Sequence, residues 1–222
     1  MPRRDVAERE GQNMNRITLV LVATLVATLL AAGASVLVAQ DAPATKPAGQ
    51  MPQMSPDEMM EQGMKLAAPG EPHRRLAKHA GTWKVSGKFF MPGAPPMSFT
   101  GTNDAKMILG GRFLRIEGKT EGAQPMMKGE SLTVLGYDNR TRKHTLWGVD
   151  TFGTYSISAA GDWDERSNTV TYLGENEEPG MGKVAFRFIV KHADDNHYTL
   201  ELHMDFPGMG WTKIMEAAYE RA

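Results

Sequence analysis

Five methionines, Met51, Met54, Met59, Met60 and Met64, lie close together ahead of the middle of this chain. Thioethers are soft ligands, so such a run can hold copper(I). Met is also the adaptable residue with which a helix packs onto an irregular surface, and packing is the preferred reading. The six histidines are scattered. His73 and His79 fall on different faces of a helix, and His192 and His197 flank Ala193-Asp194-Asp195-Asn196, so they could share a metal only across that tip. His203 stands with Glu201 and Asp205 on the polar side of a strand. No zinc or triad spacing is present, so the histidines are read as solvated, and no metal, cofactor or catalytic residue is expected. A haem would need an inward His, and the register turns His203 outward. Zero Cys excludes disulfides, thiolate metal sites and a Cys nucleophile.

The aromatic residues carry more promise. Trp147, Tyr155, Tyr172, Phe188, Met204 and Tyr219 are assigned to one apolar interior, where the phenols place hydroxyls that must find partners. As a ligand-binding set they would enclose on the order of 300 Å³ or more for a small amphipathic molecule. As plain core, the same residues would fill the space and bond backbone or water. Asp150 could orient a ligand at a mouth, or bond its own loop just before Thr151-Phe152-Gly153. Arg187, between Phe186 and Phe188, reads as solvated or ion-paired.

Positioning those side chains requires strands. Beyond Gly81 the apolar period changes from about 3.6 to 2, giving ten strands near 82–90, 97–108, 113–120, 131–138, 143–150, 154–161, 169–174, 184–192, 198–206 and 211–221. Links of hairpin length, such as Pro92-Gly93, Gly110-Gly111, Asp138-Asn139 and Pro207-Gly208, make the sheet an antiparallel meander. The apolar face runs through Trp83, Val85 and Phe89, then Phe99, Leu114 and Ile116, Val134, Trp147 and Val149, Tyr155 and Ile157. It continues through Val170 and Tyr172, Phe186 and Phe188, Leu200 to Met204, and Met215 to Tyr219. One dry and one wet face is the pattern of a single closed barrel. Arg221 shares the inward face with Tyr219, and stacking on Trp83 would hold the first and last strands together.

Two short helices precede the barrel. Ser55-Pro56-Asp57-Glu58 has the capping-box form, opening a Met-rich helix within 55–70 that Pro69-Gly70 stops. Pro72 starts a second helix, with Leu76 and Ala80 as its apolar contacts, placed to plug one barrel end.

His73 and Leu76 before Gly81-Thr82-Trp83 belong to a wider pattern with Leu109-Gly110-Gly111-Arg112-Phe113-Leu114 and Gly136-Tyr137-Asp138. Trp147 with Asp150, and Met215-Glu216 with Tyr219 and Arg221, complete it. From about His73 to Arg221 the chain resembles the bacterial family known as domain of unknown function 1579. The resemblance implies an all-β, lipocalin-like (calycin) barrel, residues 71–222, in which Trp83 and Arg221 are structural; it implies secretion and offers no reaction.

Upstream, Ile17 to Ala39 carries no charge and ends in small residues, the form of a signal peptide over residues 1–39, with Met14 an alternative start. The competing reading is a retained membrane anchor, since a spanning helix needs roughly 20 apolar residues. Residues 40–54, rich in Pro, Ala, Gln and Thr, read as a disordered tether. The expected location is periplasmic or extracellular, with no stable membrane insertion after cleavage. Cleavage would remove Arg3, Arg4, Arg9, Arg16, Asp5, Glu8 and Glu10 from totals of 25 basic and 26 acidic side chains, leaving near balance and excluding a nucleic-acid partner. The function expected is binding or carriage of a small amphipathic molecule. The alternatives are a non-binding structural or interaction module and an enzyme of unknown reaction.

Overall fold

Residues 54–91, 93–122 and 127–222 are described by the computed structural model of the protein. The expected signal segment, the tether up to residue 53 and Met51 lie outside them.

Ser55 caps helix α1, Pro56–Ala67. Its Oγ accepts from the Glu58 amide at 3.3 Å, and the Glu58 carboxylate accepts from the Ser55 amide at 2.8 Å, the reciprocal pattern of a capping box. No α1 residue is buried, and Met59, Met60 and Met64 face solvent, so these methionines do not pack the helix onto the barrel as expected. Polar bonds hold it instead: Arg112 Nε donates to Ala67 O at 3.0 Å, and Asn139 Nδ2 donates to Leu66 O and Ala68 O at 2.8 and 3.0 Å. Helix α2, Glu71–Ala77, buries His73 and Leu76 and packs against one end of the barrel.

Ten antiparallel strands follow: β1 (Gly81–Phe89), β2 (Met97–Ile108), β3 (Phe113–Gly122), β4 (Gly129–Asp138), β5 (Lys143–Asp150), β6 (Ile157–Asp164), β7 (Thr169–Glu178), β8 (Gly182–His192), β9 (His197–Phe206) and β10 (Gly210–Arg221). Each pairs with its sequence neighbour, and β1 also pairs with β10, closing the barrel.

At that seam Trp83 stands opposite Arg221. The Arg221 guanidinium lies 4.4 Å from the Trp83 ring centre and donates to Ala80 O, Lys78 O and Asp195 O at 2.7 to 2.9 Å. Two of these acceptors lie in the turn after α2, where carbonyls lack helical partners. Trp83 is 1% exposed, and its indole N–H donates to His79 O at 2.9 Å. Gly81 explains the motif before the Trp: its φ is +130°, and a Cβ there would stand 2.7 Å from Arg221 Nη1, a conformation and contact only Gly tolerates. The far end of the barrel is closed by Val85, Phe99, Met127 and Ala217, with Phe89 and Met215 packed on them.

Two strand assignments are corrected. β6 runs from Ile157 to Asp164, so Tyr155 falls in the preceding loop and is 63% exposed, while Trp163 gains a place on the inward face. In β5 the inward residues are His144 and Leu146, and Trp147 is 41% exposed on the outside. Val134 is its register partner and Val149 shares its parity, so these two also face outward, with Leu135 inside opposite Leu146. Both faces of this sector carry apolar side chains, so alternation alone did not distinguish them.

Candidate functional site

Beneath α2 the barrel is hollow. A cavity of about 140 Å³ is lined by Leu76 of α2 and by Leu135, Leu146, Tyr172, Phe188 and Tyr219 of the barrel, among others. A second space of about 290 Å³ lies outside it, between α2 and the β6–β7 and β8–β9 turns, lined by Lys78, Asn168, Asp194 and Asp195 among others. The two share Arg75, His79, Trp163 and His192 as walls, so these four form a neck between interior and surface.

Each is fixed by its element. Arg75 is on α2 beside Leu76, and His79 follows the helix into β1. Trp163 ends the inward row of β6, and His192 ends that of β8, in register with Val184, Phe186, Phe188 and Val190. The His192 backbone is pinned by Asn168, whose Nδ2 donates to His192 O at 2.7 Å and whose carbonyl accepts from His192 N at 3.0 Å. His192 stacks on Trp163, ring centres 5.2 Å apart, and lies 4.4 Å from the His79 ring. The Arg75 guanidinium covers the other ring of the stack, 4.3 Å from Trp163.

Burial keeps these imidazoles uncharged. It lowers His79 to about 4, helped by the Arg221 charge; His144 to about 4, helped by Arg75; and His192 to about 3, helped by His79 and Arg75. His192 Nδ1 is buried with no hydrogen-bond partner among the described residues, an arrangement that costs stability. Burial also pushes the Tyr219 phenol up to about 12 and raises Tyr172 and Tyr198, so all three hydroxyls stay protonated. Tyr198 and Tyr219 stack face to face at 4.2 Å.

Of the expected ligand-binding set, Tyr172, Phe188 and Tyr219 line the cavity. Met204 packs instead with the Phe186 cluster, and Trp147 and Tyr155 are outside. The inner space is also less than half the expected 300 Å³, because Leu76 and the tyrosines narrow it. The histidines are corrected as well: His73 and His144 are buried, and His79 and His192 face the neck. Only His197, bound to Asp194, and His203, bound to Glu201 at 2.8 Å, are on the outer surface. His73 Nδ1 accepts from Gly70 N at 3.0 Å, a cap for α2. His192 was legible in the alternation of β8, and Trp163 in that of β6 once its end is moved; Arg75 had no sequence signal. Asp150 accepts from Phe152 N at 2.8 Å and so serves its own loop. Arg187 stacks on Trp211 at 4.4 Å instead of being solvated or ion-paired. No cluster of three or more His, Cys, Asp or Glu able to hold a metal occurs among the described residues, and no helix among them is long and apolar enough to cross a membrane.

The family described as "Protein of unknown function (DUF1579)" matches residues 68–221. No curated protein matches the chain. Among solved structures, the barrel is similar to Rv2717c from M. tuberculosis, with a TM-score of 0.51 and 14% identity over 69% of this chain and 99% of that one. It is also similar to the S-type phycobiliprotein lyase CPES from Guillardia theta, with a TM-score of 0.47 and 12% identity over 71% and 96%. At such identities the likeness is one of fold.

Proposed function

The chain belongs to the DUF1579 family, and for this member we propose that the barrel binds a small, largely apolar molecule in the cavity beneath α2, admitted through the neck of Arg75, His79, Trp163 and His192. The observation that carries this reading is the hollow itself. Protein interiors pack to crystal density with few voids larger than a water molecule, yet here an apolar space of about 140 Å³ adjoins an open one of about 290 Å³. A cavity of roughly 150 Å³ lined by aliphatic and aromatic side chains takes up benzene, so the body of the ligand is about one six-membered ring or its aliphatic equivalent. Tyr172, Tyr198 and Tyr219 bring phenols to a mostly apolar wall whose other polar residues are Thr133, His144 and those of the neck.

The test is calorimetric titration with benzyl alcohol, read beside quenching of Trp163 fluorescence. Saturable binding is expected, and Val190→Phe, which places a ring in the cavity, should abolish it while the thermal unfolding transition remains cooperative. Absence of heat and quenching in the wild-type chain, with native mass spectrometry of protein from its source cells giving the bare mass, would overturn the reading in favour of a packed structural module.

We also propose that the protein acts outside the cytoplasm, on the strength of the uncharged run from Ile17 to Ala39 and its small-residue end. The amino terminus of protein recovered from its source should then lie between Ser35 and Asp41; recovery with residues 17–39 intact in membranes would refute it.

A further inference from the structure

Resting on the proposed binding cavity, we propose that its ligand is a monocarboxylate of about one ring, held with its apolar body in the cavity and its carboxylate against the Arg75 guanidinium at the neck. The charges around the opening single out Arg75. Glu71 is paired with Arg74 at 2.8 Å and Asp195 with Lys78 at 3.4 Å, while Asp194 accepts from the Asn196 amide and meets His197. Arg75 has only Glu165, at 3.5 Å, and the Glu165 side chain is 82% exposed whereas that of Arg75 is 24% exposed. Its five donors meet one distant, solvated protein acceptor among the described residues, which leaves donors free for a ligand. The guanidinium is held flat on Trp163, which orients the planar fork that matches a carboxylate.

The surroundings favour the same class. The imidazoles of His79 and His192 offer neutral N–H donors, and the tyrosine hydroxyls below add more. An ammonium ligand would meet the arginine charge and the apolar wall without a carboxylate inside the neck. Asp194 and Asp195 line the outer space, so the anion is placed on the inner side of Arg75. The size limit comes from the cavity: about 140 Å³ holds a ring.

Full-chain protein is titrated with benzoate, benzyl alcohol and benzylamine, and the series is repeated on Arg75→Gln. Benzoate should bind at least about tenfold more tightly than the alcohol, as a charge-assisted bidentate contact allows, and benzylamine more weakly than either. In Arg75→Gln the benzoate advantage over benzyl alcohol should fall to within about threefold, and a thermal unfolding transition that stays cooperative reports an intact barrel. Equal binding of benzoate and benzyl alcohol, or a benzoate preference that survives in the variant, would overturn the carboxylate assignment while leaving the cavity as a binding site. Failure of all three to bind would overturn the binding reading itself and this assignment with it.

Discussion

Two arginines of this barrel lie over tryptophans at nearly the same distance, Arg221 over Trp83 at 4.4 Å and Arg75 over Trp163 at 4.3 Å, and they do different work. Arg221 donates to three carbonyls and to the Asn196 side chain, and its tryptophan is sealed from solvent. Arg75 meets one exposed carboxylate, and its tryptophan walls a cavity. The same contact therefore serves closure where all three guanidinium nitrogens donate to protein acceptors and remains available for recognition where protein acceptors are few. The number of protein acceptors that each guanidinium meets separates the two; the presence of a cation–π stack does not.

That comparison can be broken at its strongest point first. Trp83→Ala should cost on the order of 3 to 5 kcal/mol, as large aromatic deletions in packed sites do, and an unchanged denaturation midpoint would remove the distinction. Arg221→Gln comes next, at about 2 kcal/mol, since its hydrogen bonds are made by a charged group to carbonyls otherwise left unpaired; urea denaturation of the purified variant measures it.

Acid then separates seam from neck by a different route. His79, His144 and His192 are held near 4, 4 and 3 in the fold and return to about 6.5 on unfolding. Below 6.5 the unfolded chain binds protons that the folded chain refuses, so stability falls as pH drops toward 4. The slope approaches about 1.4 kcal/mol per pH unit for each imidazole. His192→Leu should flatten that slope by removing one imidazole, and Arg221→Gln by less, since it lifts only the part of the His79 shift that the Arg221 charge supplies; equal slopes in the wild type and His192→Leu would show that His192 is not buried neutral.

The smallest effect is expected of Arg75→Gln, less than about 1 kcal/mol, because its partner is a solvated carboxylate. A loss as large as that of Arg221→Gln would make Arg75 a second structural clamp.

The barrel was readable because its signals are local and repeated. Alternation, hairpin turns and the Gly81-Thr82-Trp83 and Arg221 ends recur along the chain and agree with one another. The site was readable only in part. Tyr172, Phe188 and Tyr219 lie on strands with one apolar face, and their inward placement follows from period alone. Trp147 misled because β4 and β5 carry apolar residues on both faces, so the large aromatic drew the inward assignment away from His144 and Leu146. Tyr155 misled because the β5–β6 link is longer than a tight hairpin, and the start of β6 moved by three residues.

Sequence by itself determined the strand count, the antiparallel order, the closure and the two helices, since each depends on period, turn chemistry and capping between residues near in the chain. Tertiary structure alone decided that Arg75, His79, Trp163 and His192 meet. They come from a helix, a turn and two strands, and their meeting depends on where α2 crosses the barrel end. It also decided that the interior is hollow under that helix and filled at the opposite end, because a void is set by how side-chain volumes sum across the barrel, a quantity that no single strand's pattern contains.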